Sequence, residues 1–293
     1  MDKPVRMLLG DYPLTQALKK GEVKSGAVAL DFADVKTVST AFKRVVRNLE
    51  FDCSELAIVT FLMAKAYGKP LSLMPAVVMA RFQHPHIVYN MERGPLSPGD
   101  LAGRRVGTRS YTVTTSTWLR GILADDYGVD LNRVKWVTFE EPHVAEFKDP
   151  SSVERAAEGK ELMAMLLAGE VDAAILPAVP ADPRLVPLIP DPPAAAEAWR
   201  KKYGAIQVNH MVVVKESLSK SDPGAVREIY RLLAESKKAA KLPKAGEVDV
   251  NPFGVEANRR NLEVVIDTVY RQRMIPRRFS VDELFDDVTR ALG

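Results

Sequence analysis

Hydrophobic and polar positions along the chain alternate between short β-rich runs and longer runs with the 3.6-residue period of a helix. The runs that predict strands are residues 5–10, 28–31, 71–80, 86–90, 105–108, 134–139, 172–176 and 208–214. The runs that predict helices are residues 14–20, 38–48, 56–67, 112–127, 151–168, 223–241, 255–273 and 281–292. Because strands alternate with helices, the pattern predicts an α/β protein with mostly parallel sheets.

Two breaks divide this pattern. The segment Gly94-Pro95-Leu96-Ser97-Pro98-Gly99 interrupts the first half, and the strand–helix alternation starts again after it. Residues 177–193 carry seven prolines, which predicts a loop or a short edge strand. The final three helices have no strands of their own, so we expect them to pack on the first lobe. The predicted lobes are residues 1–93 with 212–293, and residues 94–211.

Composition narrows the class of protein. The chain has 293 residues, of which 46% are hydrophobic and 27% are charged, as in a soluble globular protein of about two domains. The net charge of +3 is scattered and does not indicate binding to nucleic acid or to an anionic membrane. Cys53 is the single cysteine, so no internal disulfide forms and no oxidising compartment is implied.

No membrane or export signal is visible in the sequence. The longest apolar run, residues 56–64, is much shorter than the ~20 residues that span a bilayer. Charged residues (Asp11, Lys19, Lys20 and Glu22) occur early, where a signal peptide would have its apolar core. We therefore expect a cytoplasmic protein. No helix surface predicts a dimer face, and self-association into a homo-oligomer stays open.

Common cofactor motifs are also missing from the sequence. It contains no Walker loop, no Gly-x-Gly-x-x-Gly and no Gly-x-Ser-x-Gly. His84 and His86 flank a proline, but two ligands do not make a metal site. We therefore expect no cofactor, with one alternative left open, a divalent ion held by histidine and glutamate side chains together with substrate hydroxyls.

The candidate proton carriers are histidines near strand ends, where open α/β sheets face their ligands. His84 lies in a turn before Pro85, and His86 starts a strand, so each is either a site residue or a surface polar residue. His210 lies in a very apolar strand, where it is either a core residue with a partner or a site residue. Tyr12 and Asp11 follow the first strand and are candidate ligand contacts.

The candidate anion-binding groups are an arginine and a helix start. Arg81 ends an apolar run and would bind a carboxylate with two hydrogen bonds, or cap the strand toward solvent. Arg120, in contrast, is predicted on a solvated helix face. The hydroxyls and free N–H groups at the start of the helix over residues 112–127 favour an anion or simple capping. The best candidates there are Thr114, Thr115 and Ser116.

Several segments resemble known proteins. The second lobe of type 2 periplasmic-binding-protein folds is similar to residues 101–108 (LAGRRVGT), 114–121 (TTSTWLRG), 126–129 (DYGV), 134–137 (VKWV) and 166–174 (LLAGEVDAA). Within that superfamily the chain resembles the 4,5-dihydroxyphthalate decarboxylase family. The residues that carry this resemblance are 52–56 (DCSEL), 81–84 (RFQH), 140–142 (EEP) and 209–210 (NH). The segment Gln83-His84-Pro85-His86 departs from the family pattern of Arg-His followed by small polar residues, which affects the substrate more than the fold.

The resemblance implies two lobes that close over a small aromatic dicarboxylate, with the ligand cleft between them. It implies conversion of 4,5-dihydroxyphthalate to protocatechuate and CO2 by ring protonation. Arg81 and the start of the helix would hold carboxylates, and His84 or His210 would protonate the ring. The resemblance adds Glu55, otherwise predicted in a capped helix start, and Glu141 as groups that bind hydroxyls or transfer protons. The alternative is a non-catalytic protein that binds a small anion, as a receptor or a sensor.

Overall fold

The computed structural model describes residues 4–293, which form two units. The first unit contains residues 4–81 together with Val208–Gly293, and the second unit is Phe82–Gln207. The first unit is therefore discontinuous, and the C-terminal helices belong to it. Its boundaries differ from the predicted positions 93/94 and 211/212.

Strand pairing explains the different boundaries. The strand at Ile87–Asn90 pairs with two strands of the second unit, so the break lies before the His84 turn and not at Gly94-Pro95. The strand at Val208–Lys215 pairs only with strands of the first unit, so the chain crosses back four residues earlier than predicted. Proline and glycine at 94–99 mark only a turn within the second unit.

The first unit is a five-stranded sheet with helices. Its strands are β1 (Val5–Leu8), β2 (Leu30–Phe32), β3 (Cys53–Ala57), β4 (Leu71–Ala80) and β11 (Val208–Lys215), in the order β2-β1-β3-β11-β4. Its helices are α1 (Pro13–Lys19), α2 (Phe42–Asn48), α3 (Ile58–Ala66), α7 (Glu216–Ser221), α8 (Pro223–Ala239), α9 (Val255–Arg271) and α10 (Asp287–Arg290). Strands β1, β2 and β3 are parallel, whereas β11 runs antiparallel to both of its neighbours.

Strand β11 is the part of this sheet that positions the site. It lies between β3 and β4, and its pairing with β4 shifts register around His210 and Met211. Bulges of this kind bend a strand and re-aim its side chains. The strand is buried on both faces from Val208 to Val214, which explains its nearly continuous apolar sequence.

The second unit is a six-stranded sheet with helices on it. Its strands are β5 (Ile87–Asn90), β6 (Arg105–Thr108), β7 (Lys135–Thr138), β8 (Val153–Arg155), β9 (Ala173–Ile175) and β10 (Leu185–Pro187), in the order β10-β5-β9-β6-β7-β8. Its helices are α4 (Thr114–Tyr127), α5 (Leu162–Ala168) and α6 (Pro192–Tyr203). The pairs β6–β7, β6–β9 and β7–β8 are parallel, whereas β5 pairs with β9 in the antiparallel direction.

Four local predictions are wrong. Residues 53–57 form strand β3 and not the cap and first turn of a helix, since both of its faces are buried and its edges pair with β1 and β11. Residues 153–155 form edge strand β8, and only Leu162–Ala168 of the predicted helix is helical. The proline-rich segment ends in helix α6, because two prolines occupy its first turn, where no N–H is needed. The predicted last helix shrinks to the short α10.

Candidate functional site

Glu55 is the centre of a buried polar cluster in the first unit. It lies on β3 with no solvent exposure. Its Oε2 accepts the Gly10 backbone N–H at 2.8 Å, and its Oε1 accepts the Tyr12 hydroxyl at 2.6 Å. The same Oε1 lies 2.6 Å from Nδ1 of His210. Three donors around one carboxylate satisfy a charge that burial would otherwise penalise heavily.

The register of β3 and β11 brings His210 to Glu55. His210 pairs with Ala57, and Val212 pairs with Glu55, so His210 and Glu55 are diagonal neighbours on one face of the sheet. Because an ionised carboxylate only accepts hydrogen bonds, we assign the proton to Nδ1 of His210. The second ring nitrogen, Nε2, is then the atom left for other chemistry. The histidine side chain is 11% exposed.

Tyr12 completes this cluster from the turn after β1. Burial, the negative charge of Glu55 and their hydrogen bond raise the pKa of the Tyr12 phenol well above its usual range, so the hydroxyl stays protonated and donates. The positive charge of Arg81 acts on the pKa of the phenol in the opposite direction, as the smallest of these influences. Arg81 is partly buried just beyond β4, and burial lowers the pKa of its guanidinium.

Two residues in this cluster were missed by sequence reasoning. The Phe42 ring packs edge-on against the His210 ring, with centroids 5.1 Å apart and an interplanar angle of 86°. Phe42 lies in the predicted helix over residues 38–48, and nothing in the apolar pattern of that helix distinguishes it from the other apolar residues. Gly10 could have been noticed, because a glycine between a strand and Asp11-Tyr12 indicates a close approach of the backbone.

Asp11 lies beside this cluster without joining it. Its side chain is 74% exposed and forms an ion pair with Lys19 at 2.6 Å. The structure therefore brings Tyr12, Glu55 and His210 together, whereas Asp11 faces solvent. An exposed ion pair of this kind contributes little stability.

The second unit holds the other two candidate histidines in one buried turn. His84 is 1% exposed, and its Nδ1 has no hydrogen-bond partner among residues 4–293. Burial lowers the pKa of His84 from 6.5 to about 4, and the negative charge of Asp126 only partly opposes this. His86 is also buried, with Nδ1 3.1 Å from the Leu176 carbonyl oxygen. At neutral pH, His84 is therefore uncharged.

The start of helix α4 carries the predicted anion-binding residues. The N-cap position is Val113, whose apolar side chain makes no capping hydrogen bond. Thr114 and Ser116 are buried, and Thr115 is partly buried. Ser110, four residues before the first residue of α4, is 1% exposed, and its hydroxyl has no hydrogen-bond partner in the described part of the chain. This arrangement favours an anion over a simple cap.

Arg120 lies on the same helix, and the prediction that it occupies a solvated face is wrong. It is fully buried, not solvated. Its Nη1 donates to the Tyr111 carbonyl oxygen at 2.8 Å, and its guanidinium stacks 3.8 Å from the centroid of the Tyr111 ring. Trp136 lies on a further side, 5.5 Å away. The arginine thereby holds the segment that leads into the start of α4.

Glu141 is exposed in the segment after β7, before the buried Pro142 and His143.

The side chains of His, Cys, Asp and Glu within residues 4–293 form no group of three or more that could hold a metal ion. In the same residues, no helix is both long and apolar enough to cross a membrane. Cys53 is fully buried, and burial raises the pKa of its thiol.

Curated relatives and solved structures resemble the chain. A 4,5-dihydroxyphthalate decarboxylase of Comamonas testosteroni is 28% identical over 245 residues, which cover 79% of this chain and 74% of that protein. A 4,5-dihydroxyphthalate decarboxylase of Pseudomonas putida is 32% identical over 204 residues, which cover 65% of this chain and 79% of that protein. No family model matches the chain.

Among solved structures, the periplasmic aliphatic sulphonate binding protein SsuA of Escherichia coli matches with a TM-score of 0.59. The match covers 97% of this chain and 98% of that chain, at 12% sequence identity. At this identity the likeness shows the fold alone. It confirms the predicted α/β fold of the periplasmic-binding-protein type.

Proposed function

This chain belongs to the 4,5-dihydroxyphthalate decarboxylase family, and on that premise we propose that it converts 4,5-dihydroxyphthalate to protocatechuate and CO2. The single observation in the fold that carries the proposal is the buried hydrogen-bonded set of Glu55 and His210. It supplies an oriented imidazole on a rigid sheet, which is the element that protonation of a ring carbon requires.

The reaction replaces one carboxylate of the substrate by a proton. The hydroxyl para to that carboxylate pushes electron density to the ring carbon that bears it, and an acid transfers its proton to this carbon. The bond between the ring carbon and the carboxylate then breaks, its electron pair restores the aromatic ring, and CO2 leaves. The acid regains its proton from solvent. For each substrate molecule, the net change is therefore one proton taken up and one CO2 released.

We assign the proton transfer to Nε2 of His210. Its other ring nitrogen is held by Glu55 at 2.6 Å, so the ring has one orientation. His84, the other predicted donor, is the weaker choice, because a histidine with a pKa of about 4 is protonated in only about one molecule in a thousand at pH 7. Burial of the imidazole is the main cause of the low pKa of His84.

Glu55 acts in this proposal through His210. Its oxygens are already occupied by Gly10, Tyr12 and His210, and the side chain is fully buried. It is therefore better suited to orient the imidazole and stabilise its protonated form than to bind substrate hydroxyls, the role implied by the family resemblance. Such a carboxylate behind a histidine is a familiar device for fixing the tautomer.

The carboxylates of the substrate need separate partners. Arg81 offers a guanidinium with the planar fork that matches a carboxylate. The start of α4 offers backbone N–H groups after the apolar N-cap Val113, with the buried Ser110 hydroxyl in the segment before it. We propose both as carboxylate-binding groups, with Thr114, Thr115 and Ser116 at the helix start. His86 and Glu141 stay candidate contacts of the substrate.

The proposal includes no cofactor and a cytoplasmic location. The experiment mixes the purified protein with 4,5-dihydroxyphthalate and follows the ultraviolet spectrum and CO2 release, with and without EDTA. Turnover that yields protocatechuate and is unaffected by EDTA is the expected result. Turnover that EDTA abolishes and a divalent ion restores would refute the proposal of a metal-free reaction and would show that the enzyme requires a metal ion. Thermal stabilisation by the compound without turnover would refute the proposed decarboxylase activity. It would favour a protein that only binds aromatic dicarboxylates.

A further inference from the structure

We propose that Gly10 is a positioning residue for His210, because the absence of a side chain at position 10 lets the Tyr12 ring reach the Glu55 oxygen that bonds His210. The inference rests on the proposed function of His210 as proton donor. It assigns a role to a residue that touches neither the substrate nor the imidazole.

The first observation is the space around Gly10. A Cβ atom at this position would lie 2.7 Å from two ring carbons of Tyr12 and 2.8 Å from its hydroxyl oxygen. Real Cβ atoms essentially never approach another atom so closely. Gly10 is not among the glycines of positive φ, so its backbone conformation is open to any residue. The need for glycine here is therefore one of space and not of backbone conformation.

The second observation is that the backbone of this turn is held in place. The Thr15 hydroxyl donates to the Gly10 carbonyl oxygen at 2.7 Å and accepts the Tyr12 backbone N–H at 2.9 Å. The Gly10 N–H itself donates to Oε2 of Glu55. With these bonds in place, a side chain at position 10 displaces the Tyr12 ring more easily than the backbone.

The displaced ring would lose its hydrogen bond to Glu55. Oε1 of Glu55 accepts both the Tyr12 hydroxyl and Nδ1 of His210, each at 2.6 Å. Without the tyrosine, the carboxylate loses one of its three anchors, and the imidazole that depends on it is oriented less well. We expect this to lower kcat and to leave KM for the substrate nearly unchanged, because the Tyr12 hydroxyl is bound to Glu55 and acts on the imidazole through that carboxylate.

The test is a double-mutant cycle on kcat. We expect Tyr12→Phe, which removes only the hydroxyl, to lower kcat about tenfold, which corresponds to about 1.4 kcal/mol. We expect Gly10→Ala to lower kcat to a similar extent, and the double variant to be no slower than either single variant. Independent effects would instead multiply to about a hundredfold and would overturn the proposal. The matched control is Gly26→Ala, since a Cβ at Gly26 meets no atom within 4 Å.

A second readout does not depend on turnover. In the wild-type protein, the 15N shifts of the His210 ring are expected to show one tautomer with its proton on Nδ1, and in Gly10→Ala a mixture of two tautomers. A protein without decarboxylase activity that shows this change would refute the proposed function and keep the positioning role of Gly10. Unchanged 15N shifts in Gly10→Ala would refute the positioning role even in an active enzyme.

One more variant tests whether the alanine at position 10 prevents folding through the Tyr12 ring. The atoms that a Cβ would meet are the far end of the flexible Tyr12 side chain, so we expect Gly10→Ala to fold. If it does not, Gly10→Ala combined with Tyr12→Ala removes the ring and must restore folding. Failure of that double variant to fold would show that the alanine is not tolerated for another reason, and the proposal would be wrong.

Discussion

Replacing Glu55 by glutamine tests the carboxylate behind the imidazole. Glutamine has the shape of glutamate but no charge, and it offers one acceptor oxygen where three donors converge. If its oxygen accepts from Gly10, its NH2 group faces His210 and forces the ring proton from Nδ1 to Nε2. That tautomer keeps the bond between residues 55 and 210, whereas the Tyr12 hydroxyl loses its acceptor, so we expect a folded protein with the wrong imidazole nitrogen protonated.

The magnitude follows from the contact distance. A unit charge on Oε1, 2.6 Å from Nδ1, stabilises an imidazolium by about 6 kcal/mol at an effective dielectric constant of about 20. Part of this is recovered from solvent and from the amide dipole, so the loss at the transition state is smaller. The equivalent carboxylate-to-amide change in a serine protease costs about 10⁴-fold in kcat. For Glu55→Gln we expect kcat to fall about 10³- to 10⁴-fold.

The assay is the steady-state rate of 4,5-dihydroxyphthalate loss, with thermal unfolding measured on the same samples. We expect a loss of about 1–3 kcal/mol in the free energy of unfolding, the cost of one imperfectly satisfied buried group. Glu50→Gln is the control, because Glu50 pairs with Arg44 and Arg6 near the surface. It is expected to change neither kcat nor stability by much. A Glu55→Gln enzyme that keeps more than a tenth of the wild-type kcat would refute the role of Glu55.

Three further predictions concern other ionisable groups. His84 has a folded-state pKa of about 4 against 6.5 when unfolded, so the unfolded chain binds more protons and stability falls by up to about 3 kcal/mol as the pH drops from about 6.5 through 4. His84→Gln should reduce that loss in thermal unfolding at several pH values, and an unchanged pH dependence would contradict the assignment. Arg81→Ala should raise KM at least tenfold with a smaller effect on kcat, and unchanged steady-state constants would exclude Arg81 as the carboxylate partner. Arg120→Met leaves the Tyr111 carbonyl oxygen without its donor, so urea unfolding should show a loss of about 1–3 kcal/mol, whereas an equally stable variant would show that the contact contributes nothing.

Much of the fold was predictable because strand and helix periods are local. Strand β11 stands out as an apolar run, and β6 with the following helix α4 has the pattern of a βα step. Residues 53–57 were predicted wrongly, since Asp52 and Ser54 have the local chemistry of a helix cap. What decides that segment is pairing with β1 and β11, which are distant in sequence.

The candidate site was predictable only in its residue types. His210, Glu55 and Tyr12 were each named from strand ends or family resemblance, but their mutual hydrogen bonds depend on the diagonal register of β3 and β11. A sequence of apolar residues around His210 does not reveal that register. The burial of Arg120 was unpredictable for a related reason, because its aromatic neighbour Trp136 comes from another strand.

The late position of β11 has a consequence for biosynthesis. Residues Phe82–Gln207 form a continuous unit, so they can fold while the chain is still being made. Strands β3 and β4, in contrast, wait for β11 to be inserted between them, more than 120 residues after β4 ends. Until then two apolar strand edges have no partner, a state that invites association with other nascent chains. Glu55 gains its histidine partner from the same strand, so closure of the sheet and assembly of the imidazole–carboxylate pair both depend on the insertion of β11.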